Sequence, residues 1–135
     1  MKPKLIVVSH GRMAEECVNS AEMIVGPLPE VQHVSMTFED GIEGTQAKLA
    51  ACIDDDSSYL IIADLYGGTP ANVATRKIIE NQNVRLITGL NLAMVIEYAV
   101  SPIEEVDDLV EYLCSIGKKA VSPIKAVVDE NDEDE

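Results

Sequence analysis

A histidine and an aspartate each stand directly after a short apolar segment of this 135-residue chain. His10 follows LIVVS, and Asp64 follows YLIIA. A neutral imidazole can attack phosphorus through one ring nitrogen only when the other nitrogen carries the proton. A carboxylate that accepts this N–H fixes the tautomer and stabilises the positive charge that develops on the ring. His10 and Asp64 are therefore candidates for a nucleophile and for the group that orients it.

A glycine-rich turn follows Asp64 and is suited to holding an anion. Gly67 and Gly68 can direct backbone N–H groups towards a phosphoryl oxygen, and a helix that begins near Pro70 adds the positive end of its dipole. Thr69 is placed to cap this helix, and its hydroxyl is a further donor for a phosphoryl oxygen. The turn is thus a candidate phosphoryl-binding element.

Gly11 and Arg12 follow His10 at the start of another predicted helix. We group Gly11 with the phosphoryl-binding glycines. Arg12 is the one cation close in sequence to the proposed site. Contact with a phosphoryl group or a partner and simple exposure are equally compatible with its position, whereas His33 is predicted to be solvent-facing and inert.

Several common nucleotide and hydrolase motifs are missing from the sequence. The GGTP segment lacks the lysine of a nucleotide P-loop, and no GxGxxG segment follows the first apolar run. No GxSxG elbow is present, which argues against an α/β-hydrolase. The three cysteines, Cys17, Cys52 and Cys114, lack metal-ligand or disulfide spacing and are expected to be small buried hydrophobes in a reducing compartment. We therefore expect no metal site.

The elements that carry these residues alternate between strand and helix. Short apolar runs predict strands over 4–9, 31–36, 59–63 and 84–88, and helical spacing predicts helices over 13–25, 42–53, 70–80, 91–99 and 104–118. The first of these helices is predicted by Met13, Cys17, Ala21 and Ile24, which recur at helical spacing. This alternation is typical of parallel βαβ units.

The strand patterns also predict the order of the sheet. The strands at 4–9 and 59–63 are almost continuously apolar and suit the centre, whereas Gln32 and His33 suit an edge strand. We therefore expect an open, mainly parallel, doubly wound α/β sheet of order 2-1-3-4 with helices on both faces. Ligands of such sheets bind beyond the carboxyl ends of the strands where the winding reverses. This position brings His10 and Asp64 together.

Composition limits the class of partner. Ten basic and 24 acidic residues give a net charge of -14, which argues against nucleic acid or an anionic membrane surface. Six acids lie within residues 129–135, which we interpret as a disordered acidic tail after a single domain at 1–128. No apolar run is long enough to span a membrane.

Four ordered motifs resemble the IIA component of the mannose family of the bacterial phosphoenolpyruvate-dependent sugar phosphotransferase system. They are SHGRMAE at 9–15, AEMIVG at 21–26, DLYGGTP at 64–70 and GLNLAM at 89–94. The resemblance implies a phosphocarrier whose His10 accepts a phosphoryl group from the histidine-containing phosphocarrier protein and passes it to a IIB component. Asp64 and Thr69 match the carboxylate and the hydroxylic residue of the family motif. Ala93 departs from the usual proline of the last motif.

The resemblance further implies a cytoplasmic homodimer that needs no cofactor and meets the membrane only through the transporter. A C-terminal strand at 124–128, expected to be antiparallel, would be exchanged between subunits, and the IIB acceptor would be a separate polypeptide. Two alternatives remain, a phosphocarrier for dihydroxyacetone kinase and a non-catalytic regulatory docking module. The DLYGGTP motif disfavours the first, and the joint presence of His10, Asp64 and the glycine turn disfavours the second.

Overall fold

Four parallel strands form the sheet in a computed structural model that describes residues 1–126. They are β1 (Lys4–His10), β2 (Gln32–Met36), β3 (Tyr59–Ala63) and β4 (Val84–Thr88). Their order is β2-β1-β3-β4, so the predicted order is confirmed. Because β1 and β3 are neighbours and the chain winds outward from them in both directions, the switch point lies between their carboxyl ends.

Five helices in the same residues cover both faces of the sheet. They are α1 (Met13–Val25), α2 (Gly41–Cys52), α3 (Thr69–Glu80), α4 (Leu92–Val100) and α5 (Val106–Lys119). Helices α1, α4 and α5 pack on one face, and α2 and α3 pack on the other. None of these helices is long and apolar enough to cross a membrane.

The two hydrophobic cores share the central strands. Along β1, Leu5 and Val7 face the layer of α1, α4 and α5, whereas Ile6 and Val8 face α2 and α3. All four side chains are completely buried. Each such aliphatic side chain stabilises the fold by about 1.5–3 kcal/mol. A rigid β1 therefore carries His10 at its end.

The buried face of α1 coincides only in part with the apolar series that predicted the helix. Ala14, Val18 and Ala21 are buried, whereas Met13 and Ile24 are 49% and 61% exposed. Both series have helical spacing and share Ala21, but the structure selects the series that packs on β1. The apolar spacing predicted the helix correctly. Of its four residues, Ala21 is buried and Cys17 packs partly buried against the core, whereas Met13 and Ile24 are exposed.

The start of α3 also corrects an expectation. Thr69 is the first helical residue rather than the cap, and Gly68 occupies the N-cap position without a side-chain hydrogen bond. The three cysteines are half-buried free thiols rather than fully buried. Desolvation raises the pKa of the Cys17 and Cys52 thiols.

The chain after α5 forms no strand as far as it is described. Residues 121–126 have no regular secondary structure, and Ile124 is 93% exposed. The remainder of the predicted C-terminal strand at 124–128 and the predicted acidic tail at 129–135 lie outside the described residues. The exchanged strand therefore stays a prediction.

Candidate functional site

The carboxyl ends of β1 and β3 bring His10 and Asp64 into direct contact. His10 is the last residue of β1, and Asp64 follows β3 directly. The backbone N–H of Asp64 donates to the Val8 carbonyl at 3.1 Å, which continues the β1–β3 pairing to the end of the sheet. The Nδ1 atom of His10 lies 2.8 Å from Oδ2 of Asp64.

The Asp64 carboxylate holds His10 by two bonds to one oxygen. Oδ2 accepts the backbone N–H of His10 at 3.0 Å as well as the Nδ1–H of its ring. Because one carboxylate oxygen accepts both bonds, the imidazole ring of His10 is held in one orientation relative to the backbone of the same residue. Nε2 is the ring nitrogen that remains free. The imidazole is 45% exposed and the carboxylate only 10%. The exposed Nε2 can therefore approach an external phosphorus atom while the carboxylate stays shielded.

Gly68 lies in close contact with the imidazole of His10. A Cβ atom on this residue would lie 2.8 Å from Cε1 and 3.5 Å from Nε2 of His10. The backbone of Gly68 has a φ of -79°, which any residue can adopt. The absence of a side chain therefore serves the close approach of the His10 ring rather than a special backbone conformation.

Two other glycines of the site are required by their backbone. Gly11 and Gly67 have φ angles of 53° and 81°, in the left-handed region that favours glycine. The N–H of Gly11 already donates to the Met36 carbonyl at 2.8 Å, and the N–H of Gly68 donates to the Leu65 carbonyl at 3.3 Å. These two amides are thus engaged within the protein.

The amides at the start of α3, unlike those of Gly11 and Gly68, are not engaged in hydrogen bonds in the part of the chain that the structure describes. Within residues 1–126, no group accepts a hydrogen bond from the backbone N–H of Thr69 or Ala71. The Thr69 side chain lines a small cavity of about 120 Å³ together with Asn72 and Ile42. Because Gly68 precedes these amides and touches His10, the positive end of α3 lies beside the imidazole. An anion on Nε2 would meet this end of the helix.

The Arg12 side chain points towards carboxylates of its own helix. Its Nη2 atom lies 3.4 Å from both Glu15 and Glu16, and the side chain is 74% exposed. Arg12 also occupies the N-cap position of α1 without a side-chain capping bond. The guanidinium is therefore at the border of the site and shares its charge with two acids.

Sequence reasoning missed Ser9. This serine is completely buried, and its Oγ accepts the Ala14 N–H at 2.7 Å and donates to the Gly11 carbonyl at 3.0 Å. It thereby supplies the capping bond that Arg12 does not make. The signal in the sequence was a hydroxyl residue at the buried end of an otherwise apolar strand.

The loop after β2 is held by hydrogen bonds and lies beside the turn that follows His10. Asp40 accepts the Thr37 N–H at 2.7 Å and a bond from the Lys48 ammonium at 2.7 Å. The Lys48 bond, followed by the Thr37 backbone bond, lowers the pKa of Asp40 to about 2. The same segment supplies the Met36 carbonyl that holds Gly11, so the loop and the His10 turn are joined.

Exposed apolar side chains surround the carboxyl edge of the sheet. We call this set the apolar rim; it consists of Met13, Phe38, Ile42, Leu65 and Tyr66. They stand in the segments that follow β1, β2 and β3, and Phe38 and Tyr66 are almost fully exposed, at 108% and 87%. Exposed apolar side chains of this size at one edge of a sheet are typical of a surface that contacts another protein.

Comparison with known proteins agrees with this geometry. The family model EIIA-man, described as "PTS system fructose IIA component", matches residues 4–113. A solved mannose/sorbose specific IIA subunit from Enterococcus faecalis is 53% identical, with a TM-score of 0.90 over 95% of this chain and 98% of that one. A component EIIA from Streptococcus agalactiae is 28% identical, with a TM-score of 0.84 over 89% and 95% of the two chains.

Curated relatives show the same similarity. The sorbose-specific EIIA component of Lacticaseibacillus casei is 29% identical over 84% of both sequences. The mannose-specific EIIAB component of Shigella flexneri is 28% identical over 90% of this chain. The match covers 39% of that relative's length, so this chain corresponds to part of the longer protein.

Proposed function

The chain belongs to the EIIA-man family of phosphotransferase system IIA components, and on this basis we propose that it carries phosphoryl groups on His10. The donor would be a histidine-containing phosphocarrier protein and the acceptor a IIB component of a sugar uptake system in the cytoplasm. The observation that supports this proposal most strongly is the pair of hydrogen bonds from His10 to one oxygen of Asp64.

The transfer step is balanced without a cofactor or a proton from outside. The Nε2 lone pair of His10 attacks phosphorus, and a new N–P bond forms as the N–P bond to the donor histidine breaks. The donor ring carries a proton on its other nitrogen, keeps the electron pair of the broken bond and leaves as a neutral imidazole. The positive charge that the His10 ring acquires is stabilised by Asp64 through Nδ1–H. Transfer to the IIB component is the same step with His10 as the leaving group.

The chain's own groups would hold the transferred phosphoryl group. The open amides of Thr69 and Ala71 and the positive end of α3 are placed to meet its oxygens. The Thr69 hydroxyl and the backbone of the Gly67–Gly68 turn adjoin them. Because few cations surround the site, backbone dipoles rather than side-chain charges would provide most of the stabilisation.

The apolar rim is suited to the two protein partners. Phe38 and Tyr66 offer large, almost fully exposed side chains on either side of the His10 turn. Donor and acceptor must both reach Nε2 from the same open side, so we propose that they use this rim in turn. Burial of the rim on docking also removes water from around the phosphoryl group.

Phosphoryl labelling of two histidine variants tests the proposal. Incubation with phosphoenolpyruvate and the general phosphotransferase proteins should label the chain through an acid-labile, base-stable linkage. His10→Ala should abolish labelling, whereas His33→Ala should leave it intact, because His33 is exposed on the edge strand β2. Labelling that persists in His10→Ala would contradict the assignment of His10 as the phosphorylated residue.

We also propose that the chain forms a homodimer through its C-terminal segment. Within the described residues β4 has a single neighbour, β3, so its other side is open to a further strand. Val121 and Ile124 are apolar and are 82% and 93% exposed. An exposed apolar segment and an open sheet edge in the same chain are suited to pairing with a second copy.

Two truncations test the dimer. Residues 129–135 contain no apolar side chain. Their deletion should therefore leave a dimer that still accepts phosphate. Deletion from Ala120 onward should give a monomer or an aggregating chain, because the apolar segment is lost. Sedimentation equilibrium distinguishes these results. A stable dimer that lacks residues 120–135 would show that another surface joins the subunits.

A further inference from the structure

One buried hydroxyl, that of Ser9, stabilises the turn that follows His10. The Oγ of Ser9 accepts the Ala14 N–H and donates to the Gly11 carbonyl, at 2.7 and 3.0 Å, and the side chain is inaccessible to solvent. The first bond fixes the start of α1. The second bond fixes the peptide group between Gly11 and Arg12, which lies directly beyond His10.

The bond from Ser9 to the Gly11 carbonyl determines the direction of the Arg12 N–H. In a planar trans peptide the C=O and the N–H point in opposite directions. Because the Gly11 carbonyl is directed towards the buried Ser9, the Arg12 N–H of the same peptide is directed away from the interior. Within residues 1–126, no group accepts a hydrogen bond from this N–H. A donor is therefore oriented outward two residues after the exposed imidazole.

We propose that Ser9 is a positioning residue for phosphoryl transfer, because its hydroxyl holds the Gly11–Arg12 peptide so that the Arg12 N–H donates to a phosphoryl oxygen on His10. This inference rests on the proposed phosphocarrier function. It separates two roles of Arg12, since the backbone amide serves the phosphoryl group while the guanidinium faces Glu15 and Glu16. Without the Ser9 hydroxyl the peptide is free to rotate and to present its carbonyl, whose negative end repels the phosphoryl group.

The energetic consequence follows from the chemistry of oriented donors. A fixed N–H that meets developing negative charge needs no reorganisation during the reaction, and loss of one such donor slows acyl-transfer enzymes by roughly 100-fold or more. The turn is more exposed than those sites and other amides share the charge. We therefore expect a loss on the order of tenfold in the rate of transfer.

Backbone NMR of the full chain provides a direct test. His10 is phosphorylated with phosphoramidate, a small donor that needs no protein partner, and the amide of Arg12 is followed before and after the reaction. In the native protein this amide proton should move downfield as it forms a bond to the phosphoryl oxygen. Ser9→Thr keeps the hydroxyl and should keep the shift, whereas Ser9→Ala should lose it and transfer phosphate about tenfold more slowly.

A matched serine separates positioning from stability. Ser101 is also buried, and its Oγ accepts the Ile103 N–H at 3.2 Å beyond the end of α4. Ser101→Ala should lower the midpoint of thermal unfolding and leave the Arg12 shift and the transfer rate unchanged. This control shows whether loss of a buried hydroxyl is sufficient to slow transfer.

The possible failures are distinguishable. An Arg12 amide that does not move in the native protein while His10 becomes phosphorylated would overturn the inference and leave the phosphocarrier function intact. The same holds if Ser9→Ala keeps both the shift and the rate. Absence of any phosphorylation at His10 would overturn the proposed function and the inference together. The measurement on the native protein decides the matter even if Ser9→Ala does not fold.

Discussion

The two ends of the sheet differ in how far their polar groups are hydrogen-bonded within the protein. At the amino ends of the strands, the Tyr98 hydroxyl donates to the Pro3 carbonyl at 2.6 Å, and the Tyr59 hydroxyl donates to Asp54 at 3.0 Å. Lys4 lies 3.7 Å from the same Asp54 carboxylate. The backbone N–H of Asp56 and the Tyr59 hydroxyl lower the pKa of Asp54. These groups satisfy one another.

The carboxyl ends of the strands leave polar groups free. Oδ1 of Asp64 is buried and has no hydrogen-bond partner within residues 1–126. The amides of Arg12 and Thr69 likewise meet no acceptor there. Unpaired buried groups carry a desolvation cost, so native proteins retain few of them. The buried unpaired oxygen of Asp64 and the unpaired amides beside it support the proposal that this end of the sheet binds a ligand.

The amino edge of the sheet also has a cavity. Its volume is about 840 Å³, and it opens between Lys2, Leu28 and Tyr98. The Lys2 ammonium lies 4.3 Å from the centre of the Tyr98 ring. Its lining includes the paired Lys4 and Asp54 and the free thiol of Cys52, whose pKa is raised by desolvation. The proposed site is distinguished from this cavity by the His10–Asp64 pair and by the unpaired Oδ1 of Asp64 beside it.

The largest effect should come from Asp64→Asn. A carboxamide can donate to Nδ1, which would move the ring proton to Nε2 and remove the attacking lone pair. Transfer should slow by roughly 100-fold or more, as expected when a carboxylate that fixes a tautomer is lost. Stopped-flow transfer kinetics and ¹⁵N NMR of the ring measure the rate and the tautomer.

Asp54→Asn is the matched control for that variant. It changes the same side chain at the amino edge, where Asp54 accepts the Tyr59 hydroxyl, and should lower stability without slowing transfer. Equal slowing in both variants would contradict the distinction between the two ends of the sheet.

An intermediate effect is expected for Gly68→Ala. The new methyl group would lie 2.8 Å from Cε1 of His10 and must displace the ring. Displacement of a reacting group by about 1 Å can cost up to roughly 100-fold, and we expect about tenfold here because the ring can tilt. Transfer kinetics and the His10 ring resonances report the displacement.

Gly117→Ala provides the comparison at a packing contact. There the added Cβ would lie 2.9 Å from the flexible Met94 thioether, between α4 and α5. This variant should affect the unfolding midpoint alone. If Gly68→Ala transfers phosphate at the native rate, close contact with Gly68 is not what positions the ring.

The smallest effect is expected at the amino edge, where Tyr98→Phe removes the hydroxyl bound to Pro3. The unpaired carbonyl should cost about 1–3 kcal/mol in the free energy of unfolding, with phosphoryl transfer unchanged. Burial, with a smaller contribution from Glu30, raises the pKa of Tyr98 to about 12.

The raised pKa of Tyr98 predicts a dependence of stability on pH. The native chain should keep the Tyr98 contribution below pH 10 and lose it as the pH rises towards 12, because the unfolded chain ionises first. Denaturant unfolding across this range measures the loss, which should be smaller in Tyr98→Phe. Identical pH profiles for the two proteins would exclude Tyr98 as the cause.

Local patterns were sufficient for the order of elements and for the neighbourhood of His10 and Asp64. The apolar runs before these two residues predicted two central strands, and parallel strands end at the same edge of the sheet. The same patterns did not distinguish the two helical faces of α1, since Ala14 and Met13 both begin apolar series with helical spacing.

The sequence by itself determined which elements form, their order in the sheet, and the edge at which a nucleophile and a carboxylate meet. Tertiary structure decided the contacts of Gly68 and Ser9, because no local pattern encodes the distances between these residues and their partners. Gly68 makes room for a ring 58 positions earlier in the chain. The Ser9 hydroxyl finds its two partners only when the strand ends, turns and enters α1 in one geometry.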